Sequence, residues 1–152
     1  MTDPSVAHVT FTLDRTYPVP PSRVFTAWAE PEAKRRWFAG PGAEYDLDFR
    51  VGGREVARGV HDGQVLTFES TYRDIVVDQR IIYTSTLSAG PRVATVSITT
   101  VEFIPEVDST RLVLTEQGTY LDELERPSWR QQGTADQLNA LVTELAATET
   151  RT

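Results

Sequence analysis

Few side chains in this sequence combine a reactive type with a position that catalysis could use. Glu116 falls on the same face of a strand-like segment as Leu112 and Leu114. If it points inward, it is a candidate ligand anchor or general acid/base, and Tyr72 and Tyr83 are the residues that could assist it. Glu116 also lies near the predicted end of its strand. We therefore adopt the interpretation that its carboxylate reaches water, and Glu116 stays a weak catalytic candidate.

The other polar candidates are interpreted as surface features. Asp48 and Arg50 lie on the polar side of a strand beside a Gly-Gly turn, which favours an exposed ion pair worth roughly 0–1 kcal/mol over a catalytic pair. His8 and His61 lie in separate strands without metal-ligand spacing, and a zinc site would need more donors. No metal site is predicted.

Missing residue types exclude several chemistries. The 152-residue chain contains no cysteine, which removes disulfides, thiolate metal sites and a cysteine nucleophile. The sequence has no G-x-S-x-G motif and no well-placed histidine, so nucleophilic catalysis has little support. No cofactor is predicted, and the sequence favours a container for a small molecule over an enzyme.

Charge and hydropathy limit the class of partner. The formal net charge of −7 argues against nucleic acid, although Arg35 and Arg36 are adjacent, because phosphate binding needs a basic patch. Lys34 is the single lysine among 15 cationic residues, which we attribute to coding bias. The amino terminus does not resemble a signal peptide, and no apolar run reaches the roughly 18 residues that span a bilayer. A cytoplasmic protein, without integral membrane association, is expected.

The pattern of apolar residues predicts an antiparallel meander closed by a helix, folded as one domain over residues 1–152. Proline-started patterns with aromatic residues predict two short helices after the first strand, the first capped by Ser22. On strand six, Thr95, Ser97 and Thr99 are predicted to face outward. Alternation of apolar and polar residues predicts seven strands, at residues 6–17, 45–51, 54–60, 66–73, 80–88, 93–104 and 111–117.

A long carboxy-terminal helix is predicted from Pro127 to about Ala147. Its apolar stripe consists of Leu138, Leu141, Val142 and Leu145, at the spacing of one helix face. The same face continues towards the amino end through Ala135, Thr134 and Gln131, which are small or polar. We call this amino-terminal half, with its small or polar side chains, the thin half of the helix. Where it faces an apolar sheet, its side chains are too small to fill the space between them, so the sequence predicts a cavity there.

Several segments together resemble a known family. They are P-x-x-V-F-x-A-W at 21–28, P-x-x-x-x-x-W-F at 31–38, D-x-R-x-G-G at 48–53, the strand pair at 70–84 and T-R-L-V-L-T-E at 110–116. The chain resembles the single-domain bacterial members of the heat-shock-protein ATPase activator-like family. That family lies within the START and birch-allergen-like (SRPBCC) superfamily. The resemblance covers nearly the whole chain.

This resemblance implies an α+β helix-grip (START-like) fold, in which a seven-stranded antiparallel sheet wraps around the carboxy-terminal helix with a ligand cavity between them. The sequence departs from the family at Gly133-Thr134, where relatives often carry Gly-Trp. Loss of an indole there should enlarge the cavity or admit water to it. The family label implies a chaperone partner. We give it little weight because the longer proteins that act on chaperones carry a separate amino-terminal chaperone-binding domain.

The predicted function is the binding or transport of a small hydrophobic molecule, lipid-like or aromatic, with Glu116 and Gln131 supplying polarity. Two alternatives remain open: a cyclase, aromatase or hydratase related to polyketide cyclases, and a stress-related module that binds a chaperone. The predicted ligand-binding residues come from the two short helices, the sheet and the closing helix. They are Trp28, Trp37, Tyr45, Phe49, Phe68, Tyr72, Tyr83, Leu112, Leu114, Gln131, Thr134 and Leu138.

Overall fold

Seven antiparallel strands form one sheet in the computed structural model, which describes residues 4–150 and, in the last helix, side chains as far as residue 147. Strand β1 pairs with β7, and the remaining strands follow in consecutive hairpins, which gives the order β1-β7-β6-β5-β4-β3-β2. The predicted antiparallel meander is therefore confirmed. The strands are β1 (Val6–Tyr17), β2 (Glu44–Leu47), β3 (Arg54–His61), β4 (Gln64–Val76), β5 (Arg80–Ala89), β6 (Arg92–Glu106) and β7 (Ser109–Leu121).

Two short helices, α1 (Pro21–Ala29) and α2 (Pro31–Lys34), connect β1 to β2, and a π-helical turn (Arg35–Ala39) continues α2. Each helix starts with a proline, whose fixed φ suits the first helical position. The cap of α1 is Pro20 and not Ser22 as predicted, because Pro21 already occupies the first turn. The long helix α3 (Pro127–Thr150) closes the fold, and no helix within residues 4–150 has the length and apolar character that crossing a bilayer requires.

Two hydrogen bonds join helix α3 to the amino-terminal part of the chain. Tyr17 on β1 donates a hydrogen bond of 2.8 Å to the carbonyl of Leu138, and Gln137 donates to the carbonyl of Phe38 at 2.9 Å. Leu138, Leu141 and Leu145 are buried as predicted. Val142, which the prediction placed in the same stripe, is 51% exposed because it lies at the edge of the buried face.

Strand β2 ends at Leu47, four residues earlier than predicted, because residues 48–53 turn back towards β3. Asp48 and Arg50 form an exposed ion pair of 2.9 Å within this turn, as the sequence suggested. Gly53 ends the turn in a buried position, where an added Cβ would lie 2.1 Å from the carbonyl oxygen of Asp48. A side chain at Gly53 cannot fit without movement of the backbone.

We expect the Gly53→Ala variant to lose about 1–3 kcal/mol of unfolding free energy, because that Cβ overpacks against backbone. Gly59, on β3, provides the matched control, since an added Cβ there meets nothing within 4 Å. Gly59→Ala should be neutral or slightly stabilising. Urea denaturation of both variants measures the difference, and equal midpoints would contradict the predicted clash.

Candidate ligand-binding cavity

A cavity of about 240 Å³ lies between the sheet, the π-helical turn and the amino-terminal half of α3. Trp129, near its edge, is 61% exposed, so this side of the cavity borders solvent. The lining comes from α1, the π-helical turn, β3, β4, β5, β7, the loop between β7 and α3, and α3 itself. It consists of Trp28, Trp37, Phe38, Ala39, Ala57, Phe68, Tyr83, Leu87, Leu114, Glu116, Glu125, Trp129, Arg130, Gly133, Thr134, Gln137 and Leu138.

The structure brings most of the sequence-predicted site residues together in this lining. Trp28, Trp37, Phe68, Tyr83, Leu114, Thr134 and Leu138 all line the cavity, together with Glu116. The remaining five lie elsewhere. Tyr45, Tyr72 and Leu112 are buried in the interior, Phe49 packs against Phe25 and Tyr72, and Gln131 lies on the exposed face of α3.

The thin half of α3 forms one wall of this space. Gly133 and Thr134 both line the cavity, and an added Cβ at Gly133 would meet no atom within 4 Å. The Thr134 hydroxyl is turned back to the helix, where it donates to the carbonyl of Arg130 at 3.0 Å. The small residues at these two positions therefore leave the space beside the helix unfilled.

A buried ion pair forms the polar end of the cavity. Arg130 on α3 donates from Nε to Glu116 Oε2 at 2.9 Å and from Nη2 to Glu116 Oε1 at 3.3 Å. Glu116 is only 4% exposed, so the interpretation that its carboxylate reaches water is wrong. The reason is the length of β7, which continues to Leu121 and leaves Glu116 well inside the strand.

The inward face of β6 is also the opposite of the predicted one. Thr95, Ser97 and Thr99 are buried, whereas Val96 and Ile98 on the other face are each 45% exposed. These buried hydroxyls have partners in the ionic cluster. Thr99 donates to Glu116 at 3.1 Å, Ser97 accepts from Arg130 at 3.1 Å and Thr95 donates to Glu125 at 2.6 Å. Polar residues can face inward here because the cluster satisfies them.

Glu125 is the second carboxylate at this end, and it is held more loosely. It lies in the loop between β7 and α3, and its Oε1 is 3.5 Å from Nη1 of Arg130. Burial raises the pKa of Glu125, although Arg130 and Thr95 oppose this effect. For Arg130, burial disfavours the charged form, but Glu116 and Glu125 outweigh it and hold its pKa above the ordinary value.

A second ionic cluster lies deeper in the protein and is completely enclosed. The side chains of Lys34 and Glu55 are both 0% exposed, and the ammonium nitrogen lies 3.0 and 2.8 Å from the two carboxylate oxygens. Lys34 also donates to the Tyr72 hydroxyl at 3.1 Å. Tyr72 in turn donates to Glu55 at 2.9 Å, and Tyr45 donates to the other oxygen of Glu55.

Aromatic rings separate this cluster from the cavity. The Lys34 ammonium lies 5.0 Å from the ring centre of Trp28, 4.5 Å from Phe38 and 5.6 Å from Tyr83. All three rings also line the cavity. Burial lowers the pKa of Lys34, and the attraction of Glu55 offsets only part of that effect. Lys34 and Glu55 therefore support the inner wall of the cavity without lining it.

Sequence reasoning singled out Glu116 but missed the four other charged residues of the two clusters: Lys34, Glu55, Glu125 and Arg130. One usable signal was present, since Lys34 is the only lysine in a chain that otherwise uses arginine. A second signal was the position of Arg130 on the thin half of α3, which faces the predicted cavity. His8 and His61 are both exposed, on β1 and β3, and no three Asp, Glu or His side chains within residues 4–147 converge as metal ligands would.

Comparison with known proteins gives a family and several related structures. Residues 18–146 match the model of a family described as Activator of Hsp90 ATPase homolog 1-like protein. A comparison with curated proteins gave no match. A solved protein from Rhizobium loti is 45% identical, with a TM-score of 0.87 over 92% of this chain and 99% of that one.

Two further structures are similar over nearly their whole length. An uncharacterized protein from Rhizobium leguminosarum is 39% identical, with a TM-score of 0.91, and the match covers 96% of this chain and 99% of that one. A protein from Chromobacterium violaceum is 25% identical, with a TM-score of 0.74, over 90% and 96% of the two chains. The helix-grip arrangement is thus common to all three structures and this protein.

Proposed function

The chain belongs to the family of Activator of Hsp90 ATPase homolog 1-like proteins, and we propose that it binds a small, largely apolar molecule in the cavity beneath α3. The observation that carries this proposal is the unfilled space beside Gly133 and Thr134, walled by aromatic side chains. Apolar surface that leaves water for such a cavity gains roughly 25 cal/mol per Å² before association costs.

The volume of the cavity limits the size of the ligand. A dry apolar cavity of about 150 Å³ accepts benzene in an engineered protein, and the cavity here measures about 240 Å³. It therefore suits one ring with a short substituent, or an aliphatic molecule of similar bulk, better than a full-length lipid.

The enzyme alternative has less support. Of the residues suggested for it, Glu116 and Tyr83 line the cavity and Tyr72 does not. Both oxygens of Glu116 accept hydrogen bonds from Arg130, and one accepts from Thr99 as well. A general base must bring a carboxylate oxygen within hydrogen-bond distance of the substrate proton, and here Arg130 and Thr99 already occupy the oxygens of Glu116. The carboxylate therefore fixes the polar end of a binding cavity.

We expect Thr134→Trp to abolish ligand binding, because an indole at this position fills the space that the small residues leave. Phenethyl alcohol is a suitable probe, with an expected Kd of about 0.1–1 mM for so few atoms. Ligand-detected NMR measures its binding to each variant, and thermal unfolding followed by circular dichroism verifies that each variant folds.

Gln131→Trp is the matched control, since it adds the same indole to the exposed face of the same helix. It should bind the probe as the parent protein does. In the parent, binding should also change the tryptophan fluorescence, because all three tryptophans of the chain line the cavity. Undiminished binding to folded Thr134→Trp would refute the proposed location of the ligand.

A further inference from the structure

The negative and positive charges of the residues that line the cavity do not cancel. Glu116 and Glu125 are carboxylates, and Arg130 is the single cation among the lining residues. Lys34 is no counter-charge for the cavity, because it is enclosed behind the wall and paired with Glu55. We propose, building on the proposed function, that the cavity selects small organic cations: an ammonium or quaternary ammonium group carried on an apolar body of about one ring.

Arg130 is not free to receive an anionic ligand. Its Nε and Nη2 are used by Glu116, Nη2 also donates to Ser97 at 3.1 Å, and Nη1 faces Glu125. Its guanidinium carbon lies 5.2 Å from the ring centre of Phe68. A carboxylate that entered the cavity would have to displace a buried bidentate ion pair and would then lie near two like charges.

Glu125 carries the negative charge that Arg130 does not neutralise. Glu116 has the two closer contacts with Arg130, so Glu125 depends on a single nitrogen at 3.5 Å and on the Thr95 hydroxyl. The Glu125 side chain is only 13% exposed, which means that water compensates little of its charge. A ligand cation beside Glu125 would provide the counter-charge that Arg130 gives mainly to Glu116.

The aromatic wall favours the same charge. Faces of Trp, Tyr and Phe rings attract cations, most strongly where water is excluded. The protein already uses rings of this wall in that way: the Lys34 ammonium lies against Phe38 and Trp28, and the Arg126 guanidinium lies 5.2 Å from the ring centre of Trp129 at the cavity edge. The net charge of −7 on the whole chain adds a long-range attraction for cations.

Three molecules of similar size and different charge test the proposal on the full chain: phenethylammonium, phenethyl alcohol and phenylacetate. We expect phenethylammonium to bind about tenfold more tightly than the alcohol, and phenylacetate to bind more weakly than either. Glu125→Gln should remove most of the preference for the cation, measured as the ratio of the dissociation constants of the alcohol and the cation. Glu123→Gln, an exposed acid in the same loop, is the matched control and should retain the preference.

The outcomes separate this inference from the proposed function. If the alcohol binds as tightly as the cation, or phenylacetate binds most tightly, charge selection is refuted while the proposed function stands. If Glu125→Gln keeps the full preference, the inference is refuted as well, because the selecting charge lies elsewhere. If none of the three molecules binds, both proposals fail. If Glu125→Gln loses the preference for the cation and Glu123→Gln retains it, the inference is supported.

Discussion

Replacement of Lys34 by methionine should lower the unfolding free energy by about 3–5 kcal/mol, because it leaves the fully buried carboxylate of Glu55 without its cation. Methionine has a similar length and remains compatible with the surrounding rings of Trp28 and Phe38. The expected loss therefore comes from the unpaired charge more than from packing. Chemical denaturation at neutral pH measures it, and the transition should move to clearly lower denaturant concentration.

A double-mutant cycle separates charge from packing. Glu55→Leu combined with Lys34→Met removes both charges, so the double variant should be more stable than the sum of the two single changes predicts. Arg50→Met is the matched control, since it breaks an ion pair whose partners are 70% and 53% exposed and should cost less than about 1 kcal/mol. Equal losses in Lys34→Met and Arg50→Met would contradict the importance of the buried pair.

The same pair explains why this position carries a lysine. The compact ammonium meets two carboxylate oxygens and one tyrosine hydroxyl within 2.8–3.1 Å, in a space walled by aromatic rings. A guanidinium is larger and planar and presents five donors, which these three oxygens could not satisfy. The geometry of this site therefore explains why position 34 is a lysine in a chain whose other cationic side chains are arginines.

Local patterns were sufficient to predict the architecture. Alternation along β1, β4 and β5 follows directly from one buried face, and the small residues at Gly133 and Thr134 correctly indicated a cavity. Such features depend on the periodicity of neighbouring residues, which a single sequence contains. The family resemblance pointed to the same fold.

The errors at the two ionic clusters share a physical cause, which is that the partners lie far apart along the chain. Ser97 and Arg130 are 33 residues apart, and Lys34 and Glu55 are 21 residues apart. Without its distant partner, a polar residue such as Thr95 is assigned to the outer face, because an unsatisfied buried hydroxyl would be costly. The strands whose inward faces were misjudged, β7 at Glu116 and β6, are those that contribute to the ionic cluster of the cavity.

Stability should fall steeply at alkaline pH, because burial raises the pKa of all five tyrosines of the chain. For Tyr120 the pKa rises to about 12, through burial and then Glu116. Burial alone raises the pKa of Tyr17, and burial together with Glu55 raises those of Tyr45, Tyr72 and Tyr83, in each case beyond that of Tyr120. The folded protein thus keeps its tyrosines protonated where an unfolded chain would ionise.

The sign follows from proton linkage. A group whose pKa is higher in the folded state contributes stability that is complete below its unfolded pKa, here about 10, and that is lost as the pH rises further. Above that pH, each tyrosine lowers the unfolding free energy by about 1.4 kcal/mol per pH unit, so the five together lower it by about 7 kcal/mol per unit. Lys34, whose pKa is lowered, has the opposite sign, but it is one group and its effect ends once the unfolded lysine is neutral.

Urea denaturation at successive pH values from 8 to 11 measures this loss, and tyrosinate absorbance should rise together with the loss of circular dichroism. Tyr120→Phe is an informative variant, since its buried hydroxyl has no hydrogen-bond partner within the described structure and its removal should cost little at neutral pH. In this variant, the unfolding free energy should fall less steeply with pH above pH 10, by the contribution of one tyrosine. Tyrosines that ionise near pH 10 while the protein stays folded would contradict the enclosed environments on which both ionic clusters depend.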